Sequence, residues 1–263
     1  MMPRKRYRLN HSNRKRPADA NHAMSQDNKS PATNAWNQPI GFPLPDWQAR
    51  PLPQRIVLEG SYCRLEPVNA ERHAADLYQA FAQAPDGSDW TYMTGGPFPD
   101  QASYRNHAQA LEKSEDPLHY AVIDKASGRA VGTLALMRIE PKHGVIEVGH
   151  VALSRQLKRT RVATEAQFLL MRYAFEQLGY RRYEWKCDSL NTPSRNAALR
   201  LGFSFEGIFR QAIVYRGRNR DTAWFSIIDG EWPALRGAFE RWLSPTNFDS
   251  QGQQRQSLSA LRA

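Results

Sequence analysis

Cysteine is scarce in this chain: Cys63 and Cys187 are the two among 263 residues. Two are too few for a disulfide framework, so a reduced, cytoplasmic setting is the expectation. Long hydrophobic runs are missing as well. No stretch approaches the ~20 apolar residues that span a bilayer, and no signal peptide with a hydrophobic centre is visible, so no membrane partner is expected. The seven histidines (11, 22, 73, 107, 119, 143 and 150) form no i,i+4 pair and no Cys/His cluster at zinc spacing, which argues against a metal. Cys187 sits in a strand of apparent core with no His/Asp spacing to support a triad, so a cysteine nucleophile is not favoured. Acid is in deficit, 26 Asp and Glu against 36 Lys and Arg, giving +10. Six of those charges lie in residues 1–54; the remainder is ordinary for a soluble domain.

There is room for one sizeable domain plus extensions. Residues 1–54 lack periodic apolar positions, carry Arg4-Lys5-Arg6 and Arg14-Lys15-Arg16, and are then punctuated by prolines at 31, 39, 43, 45, 51 and 53. Such a segment buries too little surface to offset its ordering entropy and reads as a disordered basic, Pro-rich extension; a nucleic-acid arm is the less favoured alternative. Trp36, Phe42 and Trp47 do not fit pure disorder, so the Pro-rich half is a candidate for docking on the domain. Residues 55–245 read as that domain and 246–263 as a polar, mobile tail. Strands are expected near 57–65, 118–124, 130–139, 145–153, 181–187, 204–215 and 223–228, with helices from 70, after 100, from 162, after 192 and over 231–243.

The run from Gly144 to Gly179 organises the rest. It reads as a strand, Val145 to Leu153, a loop with Arg155, Lys158, Arg159 and Arg161, and a helix whose apolar positions recur at 162, 166, 169, 170 and 173. A helix starting straight after a strand points its free N–H groups and positive dipole end outward, which favours phosphate, and the cations strengthen that preference. A solvated basic loop is the alternative.

Three features carry a family resemblance: Glu147-x-Gly149-His150 on a strand, Ala163-Thr164-Glu165-Ala166 opening the next helix, and Asn191-x-x-Ser194 leading to Leu201-Gly202-Phe203. Together they resemble the GCN5-related N-acetyltransferases (GNAT), on the branch similar to ribosomal-protein alanine acetyltransferases, over roughly residues 55–243. The resemblance implies an α/β fold with a mixed, mostly antiparallel twisted sheet, a splayed strand pair and helices on both faces. It also implies acetyl-CoA or another short acyl-CoA as co-substrate, no metal, and direct transfer to a primary amine of a protein N-terminus or a small molecule. A homodimer is left open, and a silent acyl-CoA-binding module is the alternative function.

On that resemblance the coenzyme would be held by Val151, Ala152 and Leu153 on the strand, by Lys158, Arg159, Thr160, Arg161, Val162, Ala163 and Thr164 at the turn, and by Asn191. The family's glycine-bearing turn is here Lys158-Arg159-Thr160-Arg161-Val162-Ala163, with Arg161 in a glycine position. The expected compensation is a guanidinium fork onto phosphate. At neutral pH under about one per cent of an alkylamine is unprotonated, so a base is useful. Glu147 is the first candidate: alternation places it on one face with Val145, Gly149 and Val151, and partial desolvation would raise its pKa. A structural carboxylate paired with an arginine is the alternative, and His150 should point the other way. Ser194, with Thr192 as N-cap and Pro193 as first helical residue, stands at a positive helix end and is the candidate for the departing thiolate; plain capping is the alternative. Trp90, Tyr92 and Met93 either line an acceptor pocket or form loop core. Arg218 and Arg220 either attract an acidic substrate or belong to a solvated turn.

Overall fold

The computed structural model describes residues 31–262, so the two basic clusters near the start lie outside the described residues. The chain divides after Pro43. In the first unit, β1 (Ala32–Thr33) and β2 (Pro39–Ile40) pair antiparallel. The Asn34 side-chain oxygen closes their turn by accepting the amides of Trp36 and Gln38.

The second unit is built on one eight-stranded sheet. Its strands are β3 (Leu58–Glu59), β4 (Cys63–Pro67), β5 (Leu118–Asp124), β6 (Ala130–Glu140), β7 (Val145–Leu153), β8 (Arg182–Asp188), β9 (Ser204–Tyr215) and β10 (Arg218–Ile228). They lie in the order β3-β4-β5-β6-β7-β8-β10-β9. Every pairing is antiparallel except β7 with β8, as expected of two strands joined by a crossover helix. This is the mixed, mostly antiparallel α/β sheet read from the sequence.

Helices α1 (Ala70–Ala82) and α2 (Gln101–Lys113) cover one face over β5 and β6, through Leu77, Tyr104 and Ala108 against Ala121, Ile123 and Ala130. Asn69 caps α1 through the Arg72 amide, and Asp100 with Ser103 forms a capping box on α2. Helices α3 (Arg161–Arg172), α4 (Thr192–Leu201) and α5 (Trp232–Leu243) cover the other face around Leu134, Ile146, Tyr183, Phe225 and Phe239. After Arg172 the helix widens into a π turn, Tyr173–Gln177, and Gly179 ends it in the left-handed conformation at φ 68°.

Both expected boundaries move. Residues from Leu44 belong to the second unit. Trp47 Nε1 donates to the Lys142 carbonyl, the Arg50 amide to the Pro141 carbonyl, and Tyr180 and Tyr120 hydroxyls to the carbonyls of Pro51 and Gln54. Prolines there leave carbonyls free to accept from domain tyrosines, so this stretch lies as a strap rather than a free extension. The polar tail expected after 245 is likewise corrected. Asn247 Nδ2 donates to the carbonyls of Trp242 and Gln256, Phe248 bridges Gln254, and Leu258 is fully buried. Sparse apolar residues among polar ones hid this, because Phe248, Leu258 and Leu261 dock singly rather than periodically.

Candidate functional site

β7 and β8 pair only from Val145 to Val148 against Arg182 to Trp185, yet β7 runs on to Leu153 and β8 to Asp188. Beyond Trp185 they part, and Gly149–Leu153 keep only β6 as a strand partner. That leaves an opening through the sheet edged by β7 backbone. At its mouth β7 is bulged: Gly149 and Ala152 oppose Ala135 and Thr133, three steps against two, and His150 takes φ 48°. The bulge overturns two expectations drawn from plain alternation. Val151 leaves the face of Glu147 and packs with Leu153 on the core. His150 turns toward His119, ring centroids 5.2 Å apart, on the face that α1 and α2 cover.

At the α3 end, Leu157 is buried under the loop and Arg159 takes φ 63°. Thr160 is the N-cap, its hydroxyl accepting the Ala163 amide at 3.2 Å, while the first-turn amides of Arg161 and Val162 have no acceptor within the helix. The cations are arranged otherwise than expected. Lys158 pairs with Asp89, and the Arg161 guanidinium lies over the rings of Tyr62 (4.7 Å) and Phe248 (4.4 Å) instead of projecting as a fork. The docked C-terminal segment supplies one of those rings, which is why the sequence misplaced the side chain. Arg200, which sequence reasoning passed over, comes across from α4: it donates to Thr164 Oγ1 at 3.1 Å and stacks over Trp242. First-turn amides, the exposed Arg155 and Arg159, and the free β7 edge fit a diphosphate followed by an extended amide-bearing arm.

Glu147 lies on the sheet face of α1 and α2, beyond their cover, and is 4% exposed. Lys186 Nζ stands 2.8 Å from its Oε2, and Arg138 Nε 3.3 Å. The same ammonium is 2.6 Å from Glu184 Oε2 and 3.9 Å from the centre of the Trp224 ring. Glu184 in turn binds Arg182, which binds Glu206. Burial raises the Glu147 pKa above the usual carboxylate range, and the charges of Lys186 and Arg138 pull it back. The base candidate and the paired-carboxylate alternative are thus both visible in one group. Lys186, Glu184 and Trp224 went unnoticed in the sequence. Their signal was the alternation Arg182, Glu184, Lys186, an unusual run of charge on a central strand.

Ser194 lies on the opposite face, with Trp185 and Cys187. Its Oγ accepts Trp185 Nε1 at 3.0 Å, and its hydroxyl bonds the Cys187 thiol, whose pKa burial raises. The N-cap is Asn191, not Thr192: Asn191 Oδ1 accepts the Ser194 amide at 3.2 Å, and Pro193 follows inside the first turn. Glu147 and Ser194 therefore flank the opening from its two sides.

The loop before α2 closes the open face. Trp90 is loop core, edge-on to Phe81 and Phe98, and Met93 packs beside it; Tyr92 donates to the Leu190 carbonyl. From the β9–β10 turn, Arg216 donates to the carbonyls of Trp90 and Gly96, and Arg218 to that of Thr91. Of the expected acceptor wall, Tyr92 and Arg218 hold the loop against the sheet while Trp90 and Met93 support it from within.

Beside the site, burial holds His119 down to about 3, with His150, His107 and Arg55 adding to the effect; His107 and His150 are lowered too, chiefly by burial. These imidazoles fold neutral, so the unfolded chain binds more protons below its ordinary pKa of 6.5. Stability is complete above that pH and is lost as pH falls towards 3. His119 alone should cost about 2 kcal/mol by pH 5, and His119→Phe should flatten the fall of Tm between pH 7 and 5.

Among the described residues no group of three or more His, Cys, Asp or Glu is placed to hold a metal, and no helix is long and apolar enough to cross a membrane. Residues 63–204 match the model of the acetyltransferase (GNAT) domain. A solved GCN5-related N-acetyltransferase from Brucella melitensis is 51% identical, with TM-score 0.81, covering 83% of this chain and 99% of that one. A solved probable GNAT acetyltransferase from Chromobacterium violaceum is 43% identical, with TM-score 0.69, covering 74% and 98%. The putative ribosomal N-acetyltransferase YdaF of Bacillus subtilis is 28% identical over 177 residues, 64% of this chain and 90% of that protein.

Proposed function

Because the chain belongs to the GNAT acetyltransferase family, we propose that it is an acyl-CoA-dependent N-acyltransferase that moves an acetyl group directly onto a primary amine, without an acyl-enzyme. The observation that carries this reading is the parting of β7 and β8 with Glu147 on one side and Ser194 on the other. Acetyl-CoA supplies the activated acyl thioester. The β7 edge at Val151–Leu153 and the first turn of α3 would hold its arm and diphosphate, and Asn191 is the candidate to orient the arm. Glu147 Oε accepts the proton that the incoming ammonium must lose. Ser194, hydroxyl already fixed by Trp185 at the positive end of α4, stabilises the departing sulfur. A protein N-terminus is the acceptor class that the ribosomal N-acetyltransferase among the relatives suggests.

Thiol release from acetyl-CoA in the presence of an amine panel tests the reading; silence across several acyl-CoAs and a broad panel sinks it. Arg161 against its rings and Lys158 on Asp89 favour one competing reading, a module that binds acyl-CoA without turnover. Calorimetric binding with no thiol release would select it. Lys186 sets the pH response. It favours the ionised form of Glu147, so Lys186→Met should raise that carboxyl further and shift the acid limb of kcat/KM upward by about one pH unit. An unmoved limb would mean that another group titrates.

A further inference from the structure

The β9–β10 turn brings Arg216, Arg218 and Arg220 to the open end of the face that carries Glu147, and none of the three is in an ion pair among the described residues. Arg216 and Arg218 place their charges by donating to neutral carbonyls of the 90–96 loop, so the charge itself is not cancelled. Arg220 differs from both. It is half-buried, and its Nε is enclosed without a hydrogen-bond partner. Two residues on, Thr222 is 2% exposed and its hydroxyl also lacks a partner. Residues 220, 222 and 224 are alternate positions of β10, the extra residues of the register shift between 220 and 222 lying in β9, and Thr222 sits in register with Asp188. That aspartate is already engaged, accepting the Leu190 amide and the Tyr215 hydroxyl at 2.9 Å each. Of the nine enclosed side-chain atoms left without a hydrogen-bond partner among the described residues, Arg220 Nε and the Thr222 hydroxyl are two donors at neighbouring alternate positions of one strand.

We propose that the acceptor amine is flanked by carboxylates, as at the free N-terminus of an acidic peptide, and that Arg220 and Thr222 anchor one of them. Arg216 and Arg218 extend the positive field along the approach. This rests on the transferase reading for the reacting amine but not for the anchoring itself. The guanidinium binds a carboxylate through charge-assisted hydrogen bonds, which also fixes the orientation of the amine relative to Glu147.

Three free-amino hexapeptides test it: one with Asp and Glu at positions two to four, its Asn/Gln counterpart and its Lys counterpart. Each is assayed for thiol release at saturating acetyl-CoA and, separately, for binding by fluorescence anisotropy to the full chain with CoA present. The acidic peptide should exceed the neutral one by about tenfold in kcat/KM and in affinity, with the advantage shrinking as salt rises. Arg220→Gln should bring that ratio close to one, Arg220→Lys should keep part of it, and Thr222→Val should lower it with the melting temperature as a folding control. Equal handling of the three peptides overturns the proposal. So does an Arg220→Gln chain that binds CoA more weakly by calorimetry yet keeps the acidic preference, since the cation would then serve the coenzyme. Preferential binding of the acidic peptide without any turnover supports the anchoring and overturns the transferase reading.

Discussion

Glu147→Gln is expected to lower kcat roughly 100- to 1,000-fold while calorimetric binding of CoA stays within a few-fold, the usual size of a lost general base. The substitution keeps the shape of a side chain that is 4% exposed and removes the capacity to take a proton together with the charge that meets Lys186 and Arg138. Burial raises this carboxyl towards the range where a base works at neutral pH, and Lys186 and Arg138 keep it from staying protonated. The pH dependence follows from the sign of that shift. Activity needs the ionised form, so it should rise with pH through a midpoint above the ordinary carboxylate range. If Glu147→Gln reduces Tm but leaves kcat within threefold, the group is a structural partner of Lys186 and the proton leaves by another route. The balance is close because Lys186 is itself 6% exposed and shared with Glu184. Removing one acid therefore leaves the ammonium one counter-charge rather than none, and the fold should survive the test.

Glu165→Ala should destabilise the folded chain by about 3–5 kcal/mol, measured by denaturant unfolding, with little residual refolding at elevated temperature. The Glu165 carboxylate is buried in the first half of α3 and accepts three backbone amides, those of Ser61, Tyr62 and Cys63, each at 2.7 Å. It closes the β3–β4 turn, and Gly60 is required there because a Cβ would stand 2.5 Å from the carboxylate carbon. Without the acid, three enclosed N–H groups lose their acceptor and α3 loses its tether to the edge of the sheet. Glu165→Gln, which keeps one oxygen, should cost markedly less. Equal losses for the two variants would show that packing rather than hydrogen bonding holds the turn. Since α3 also presents the first-turn amides of Arg161 and Val162, coenzyme affinity should fall with the stability of Glu165→Ala.

What the chain's order of residues settled was the set of elements and the chemistry they offer. Alternation and helical spacing are local, and so Val145–Leu153, the helix opening at Thr160–Val162, and the Asn191–Ser194 turn were legible within a residue or two. Glu147 and Ser194 were singled out as candidates because a strand's period and a helix's first turn say which way a side chain faces. The bulge at His150 broke that rule, since an extra residue in one strand is fixed by its partner strand, and it moved Val151 and His150 to faces opposite those expected. Long-range contact also decided what no pattern holds. Lys186 meets Glu147 across neighbouring strands, Phe248 draws Arg161 aside from some ninety residues away, and the Arg216–Arg218 turn reaches back to the loop at Trp90. Which groups are charged, free or spent depends on burial and on partners remote in the chain. The sequence by itself therefore determined the fold and the candidate reacting groups. Only the tertiary structure decided which of its cations are paired and which remain without an ion pair among the described residues.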